Sequence, residues 1–175
     1  MPSVRHPLGS TSPLRIMRGA AISALLAVVA AILISTATAA PKEAAAGTIA
    51  VTGRTLVLSY RDGSDIVREL LVHRTLTGTF AGTEVSLVHN ITHPDGSADL
   101  TVVSSCTCTV EGRSGTVTFR ERATVDVAGI ISVHRKIIDA SGALEGLRGK
   151  LEVSDPIAAP AQNYTGSYSF GNAND

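Results

Sequence analysis

The sequence predicts an all-β domain, a sandwich or a closed barrel, and three observations predict it. First, glycine-marked hairpin signals recur at 78–82, 112–115 and 141–149, each with an apolar residue near a glycine and a strand pattern after it. Second, the runs between turns are rich in Val, Thr, Leu and Ile and alternate with period two. Third, nothing beyond the N-terminal forty residues carries a 3.6-residue period. Seven or eight short strands in one small domain favour these two architectures, and closure removes the exposed edges of an open sheet.

The chain has 175 residues, and the first part reads as a leader rather than as fold. Arg5, Arg15 and Arg18 precede an uncharged, nearly all-apolar run from Gly19 to Ile34. Ser35 to Ala39 then supplies small residues, with Ala37 and Ala39 spaced for a signal peptidase. Residues 1–39 are therefore expected to be a secretory signal peptide cleaved after Ala39, and the protein to be extracellular. The rival is an uncleaved anchor, since Gly19 to Ala40 approaches the ~20 residues a membrane span needs. Residues 40–46 read as a linker and 47–171 as the folded domain.

The part after the leader is one domain's worth of chain, about 136 residues. Its 12 basic and 15 acidic residues leave a charge of about −3, with no basic run. That balance argues against nucleic acid as a partner. With no Trp, three Tyr and three Phe, it offers few platforms for stacking sugars or bases.

Thr48 to Thr52 alternates and Thr55 to Tyr60 continues as a strand, up to an Asp62-Gly63 turn. Ile66 to Leu76 lacks a helix cap and reads as the next strand. The Gly78–Gly82 hairpin leads into Glu84 to Thr92, which His93-Pro94-Asp95-Gly96 closes. Asp99 to Val110 and Thr116 to Val127 flank the Gly112–Gly115 hairpin. Ile130 to Asp139, Leu151 to Val153 and Tyr164 to Phe170 complete the strands, with a Pro- and Ala-rich loop over 155–163.

Cys106 and Cys108 are the only thiols. Residues two apart on a strand share a face, at roughly 6.6–6.8 Å between Cα atoms, the outer limit for a disulfide. An oxidising compartment favours the bond and a small strained ring opposes it, so disulfide, two buried thiols and a redox or metal role all stay open. His89 and His93 share strand parity but stand about 13 Å apart, too far for one ion. No spacing points to a metal or a cofactor, and none is expected. Nor is there a nucleophile elbow, because the Ser-x-Gly fragments sit in hairpins. Asn90-Ile91-Thr92 and Asn163-Tyr164-Thr165 match the glycosylation pattern only weakly.

Arg74, Arg120, Glu121, Arg122, Asp126, His134 and Arg135 are charged strand residues that could face a core. Alternation puts Arg74 with Val72 and Leu76, and Glu121 with Val117 and Phe119. A charge on an apolar face must be paired or stand in a wet cavity. Arg74 and Glu121 are accordingly the candidate cavity residues. The alternative is that on part of the barrel the apolar face points outward, or that these charges simply neutralise each other.

Four segments carry a family resemblance: Thr75 to Gly82, Gly112-Arg113-Ser114-Gly115 with Phe119, Ser141 to Gly149, and Tyr164-x-x-x-Tyr168-x-Phe170. Over about residues 47–171 the chain resembles the bacterial domain of unknown function 3224 family, similar in fold to allene oxide cyclase and dirigent barrels. The resemblance implies an eight-stranded antiparallel up-and-down barrel, lipocalin-like and of calycin type, with an axial cavity. It brings no reaction. Two family features are missing: an acidic–basic pair, where Ser104, Ser105 and Cys106 stand, and a tryptophan near His134 and Arg135.

The expected function is binding of a small apolar ligand in that cavity, without turnover and without a membrane once the leader is gone. A cyclase- or dirigent-like enzyme guiding a reactive intermediate is the second reading, and a structural cell-surface module the third. Inward charges favour the second, an apolar lining the first, and a filled interior the third.

Overall fold

A computed structural model describes residues 41–171. The leader and its cleavage site lie outside the described residues. Eight strands follow in chain order: β1 (Glu43–Asp62), β2 (Asp65–Gly78), β3 (Ala81–Thr92), β4 (Ala98–Val110), β5 (Arg113–Val125), β6 (Ile130–Gly142), β7 (Leu147–Pro156) and β8 (Gln162–Phe170). Each pairs antiparallel with its neighbours, and β8 pairs with β1, so the sheet closes into an up-and-down barrel. The described residues contain no helix.

The linker expected at 40–46 is corrected in part. β1 begins at Glu43, and Glu43 to Ile49 pair with β8 from Tyr168 back to Gln162. Local composition hides this, because Ala44-Ala45-Ala46 is a poor strand former. Closure supplies what propensity lacks: Ala45 is buried and the backbone gains a ladder partner. Beyond Ile49, β1 outruns β8 and pairs with β2 alone. Leu56, Val57, Leu58 and Tyr60 on that free stretch stay exposed.

The hairpins do what the glycines suggested. At the β4–β5 turn both central residues, Glu111 and Gly112, have positive φ (50° and 75°), the pattern of a type I′ turn matched to strand twist. A different need fixes Gly47, where an added Cβ would lie 1.9 Å from the Thr77 carbonyl oxygen and 2.4 Å from the Tyr164 hydroxyl. Only a residue without a side chain lets β1, β2 and that tyrosine meet.

The barrel is filled at one end and open at the other. The β2–β3, β4–β5 and β6–β7 connections surround the filled end, where Phe80 packs edge-on against Phe119, Tyr164 and Tyr168, centroids 5.8–6.3 Å apart. Leu144, Leu147, Leu151 and Val117 complete this plug. The Tyr164 hydroxyl donates to the Thr77 carbonyl and accepts from the Phe80 amide, both at 2.9 Å. Buried polar backbone is thereby satisfied inside the aromatic cluster. Towards the other end the aromatic rings give way to Val72, Val88 and Val102 with Leu70 and Leu100 against them, and space remains.

Candidate functional site

The floor of that space is a ring of four charges. Arg74 on β2 stands directly opposite Glu84 on β3, and Glu121 on β5 opposite Arg135 on β6. These two cross-strand pairs meet across the lumen. Arg74 Nη1 donates to Glu84 Oε1 at 2.9 Å and reaches Glu121 Oε2 at 3.2 Å. Arg135 Nη2 pairs with Glu121 Oε1 at 3.0 Å and donates to Glu84 Oε2. Charge alternates around the ring, and the formal sum is zero.

Serines complete the coordination. Ser86 Oγ donates to Glu84 Oε1 at 3.1 Å, and Ser104 Oγ to Glu121 Oε1 at 2.8 Å. Glu84, Glu121 and Arg135 are at most 2% exposed, so each charge has left water and depends on these partners. Burial alone would raise the Glu121 carboxyl, but Arg135, then Arg74 and the Ser104 hydroxyl, hold it below the usual carboxylate range. Burial likewise works against the Arg74 cation, and Glu121 and Glu84 more than offset it, so its pKa is raised. Both groups are therefore ionised at neutral pH.

Above this floor lies a cavity of about 170 Å³, lined by Leu70, Val72, Val88, Leu100, Ile131 and Arg74, with Arg54, Asn90, Ile157 and Gln162 nearer solvent. A narrower space of about 30 Å³ continues below it, bounded by Arg74, Glu121, Arg135, Val102 and Val133. The two spaces share Arg74, Leu100, Ile131 and Gln162. A larger groove of about 340 Å³ lies on the outer wall beside the exposed Lys42, Lys136 and Lys150. It contains no buried charge, unlike the axial space.

Both candidate residues, Arg74 and Glu121, stand in the floor, 47 residues apart in sequence and joined by a hydrogen bond. Their partners Glu84 and Arg135 were not singled out. Arg135 stood among the charged strand residues, and its two-residue spacing to Val133 and Ile137 was the usable signal. Glu84 had no such signal. On β3 the class of Val85 and Leu87 is the more apolar, yet it faces solvent, while Glu84 and Ser86 are buried. His134 is exposed and pairs with Glu152 at 3.5 Å.

The sulfurs of Cys106 and Cys108 lie together inside the barrel in the geometry of a Cys-Thr-Cys disulfide, with Cα atoms 5.4 Å apart. That is shorter than the ideal strand repeat, and it shows local compression of β4. Among the described residues no group of three or more His, Cys, Asp or Glu is placed to hold a metal ion.

The comparisons with known proteins agree with this architecture. A family model described as "Protein of unknown function (DUF3224)" matches residues 45–165. A solved structure of a DUF3224 protein of unknown function from Shewanella oneidensis MR-1 superposes with a TM-score of 0.64 at 18% identity. The match covers 75% of this chain and all of that one, a likeness of fold. No curated protein matches the chain.

Proposed function

This chain belongs to DUF3224, a family of proteins of unknown function, and from its cavity we propose that it binds one small, largely apolar molecule at the open end of the barrel. The observation that carries this reading is the position of the cavity: apolar walls from Leu70, Val72, Val88, Leu100 and Ile131 stand over a polar floor. Concave apolar space with a few converging polar groups is the usual form of a small-molecule site. About 170 Å³ suits a molecule of about benzene's size, since an apolar protein cavity of ~150 Å³ accepts benzene.

The charged floor gives the enzyme reading its one support. General acid or base catalysis, however, needs a group that changes protonation near working pH. Glu121 is held below its ordinary range and both its oxygens accept from the ring. Such a carboxylate orients and balances charge rather than carrying protons. Binding without turnover is the better-supported reading.

The order of basic, apolar and small residues over 1–39 supports export with cleavage after Ala39. Protein recovered from the medium should begin at Ala40 by intact mass, and full-length protein held in membranes would contradict this.

Ligand-observed NMR of the purified protein against a library of small apolar molecules tests the binding reading. Hits should be displaced by one another and should shift amides of β2, β3 and β4 near Val72, Val88 and Leu100. A library without hits, or hits that shift only outer-wall residues, would overturn it.

A further inference from the structure

Arg135 has more hydrogen-bonding capacity than the ring uses. Its Nη2 serves Glu84, Glu121 and Ser104. Its Nε and Nη1 are buried and have no acceptor among the described residues. The residue is 2% exposed, and its guanidinium lies on the Phe119 ring with Cζ 4.2 Å from the centroid. Stacking satisfies the face of the guanidinium but leaves its edge N–H groups unmet. Two nitrogens without an acceptor on one buried cation, three N–H groups in all, are costly, each lost bond being worth about 1–3 kcal/mol.

The same side chain borders the narrow space of about 30 Å³ beneath the main cavity. That volume holds one water molecule or the terminal oxygen of a larger molecule. Because the two spaces share Arg74, Leu100, Ile131 and Gln162, a molecule seated on the apolar walls can project its inner end there.

Charge selects what that end can be. Two arginines and two glutamates already cancel, and both carboxylates are engaged. An entering carboxylate or phosphate would bring a buried charge with no counter-ion of its own. A cation would meet Arg74 and Arg135, and the one carboxylate there, Glu121, already has both oxygens engaged. An uncharged acceptor meets the unmet N–H groups and adds no charge.

We propose that the occupant of the axial cavity carries at its inner end a neutral hydrogen-bond acceptor, a carbonyl, ether or hydroxyl oxygen, received by Nε and Nη1 of Arg135. This rests on the reading of the cavity as a ligand site and specifies the chemistry of the ligand. Arg135 is then a binding residue as well as a member of the ring, and the barrel selects apolar molecules with one terminal oxygen over hydrocarbons of equal shape.

The experiment compares three probes on the purified protein by NMR titration: cyclohexanone, its isostere methylenecyclohexane, and cyclohexanecarboxylate. Cyclohexanone should bind at least tenfold more tightly than the other two, the ratio expected for a bond to a charged donor. The Arg135 Nε–H resonance should move on adding the ketone and stay still with the isostere. Arg135→Met alone would leave carboxylates unpaired, so the variant is Arg135→Met with Glu84→Gln. In it the ketone preference should fall to near unity while the isostere still binds. If that variant does not fold, the Nε–H resonance of the parent decides. Equal affinity for ketone and isostere in the parent, or preference for the carboxylate, would overturn the acceptor assignment and leave the cavity a ligand site. Failure of all three probes to bind in the barrel would overturn both readings.

Discussion

The guanidinium of Arg135 on β6 pairs across the lumen with the carboxylate of Glu84 on β3, 51 residues earlier in the chain. Together with the mirror contact between Arg74 and Glu121 it ties opposite walls of the barrel. Removing one partner strands a buried charge, whereas removing both leaves a smaller fault. Arg135→Met is expected to cost about 3–5 kcal/mol in urea unfolding, and Arg135→Met with Glu84→Gln to recover part of that. A single variant as stable as the parent would show the ring to be dispensable.

Acid should reveal the same ring. Glu121 has its carboxyl lowered from the ordinary 4.5. A depressed pKa contributes stability that is full above the unfolded value and is lost as pH falls through the folded one. Melting temperature should therefore hold above about pH 4.5 and drop below it. In Glu121→Gln that contribution disappears, and the acid limb should be shallower than the parent's.

His93 gives the opposite sign at the open rim. Its ring lies 3.2 Å from Asp99 and 3.3 Å from Asp65, and bonds first to Asp99 and then to Asp65 raise its pKa above 6.5. A raised pKa contributes stability below the unfolded value that is lost as pH rises through the folded one. The β1–β2 and β3–β4 turns it joins should loosen as pH rises above 6.5 and through the raised pKa, read as amide exchange of residues 62–66. In His93→Gln that exchange should not follow this titration.

At the filled end, Tyr164→Phe removes a hydroxyl that serves both the Phe80 amide and the Thr77 carbonyl. The expected loss is about 1–3 kcal/mol, read from chemical denaturation. Gly47→Ala should cost more, because its Cβ would strike the Thr77 carbonyl as well as the buried Tyr164 side chain. The reverse order would mean that β1 can shift to make room.

Cys106 and Cys108 are expected to be bonded in protein made under oxidising conditions, so thiol labelling of unfolded, unreduced protein should find none. The loop they close spans a sequence separation of only 2, so the chain-entropy gain is small. Reduction should lower stability by only about 1–2 kcal/mol. A loss of 4 kcal/mol or more would mean that the bond also shapes the packing of β4.

Most of the strands and their order are legible in local sequence. Asp-Gly, Gly-Arg-Ser-Gly and Leu-Glu-Gly turns act locally, and period two on β5 puts Glu121 with Val117 and Phe119, whereas on β6 it is the structure that buries Arg135 with Val133 and Ile137. Tertiary structure decided which face of each strand is inside. On β3 the local pattern points Val85 and Leu87 inward, yet closure turns them to solvent and buries Glu84 and Ser86. The reason is energetic and non-local. Glu84 can be buried only because Arg74 and Arg135 arrive from two other strands to pair with it. Closure also made a strand of Glu43 to Ala46, whose alanines have little strand propensity until β8 offers them a ladder. Pairing partners separated by tens of residues leave no mark on local periodicity, so a strand's own pattern could not announce them.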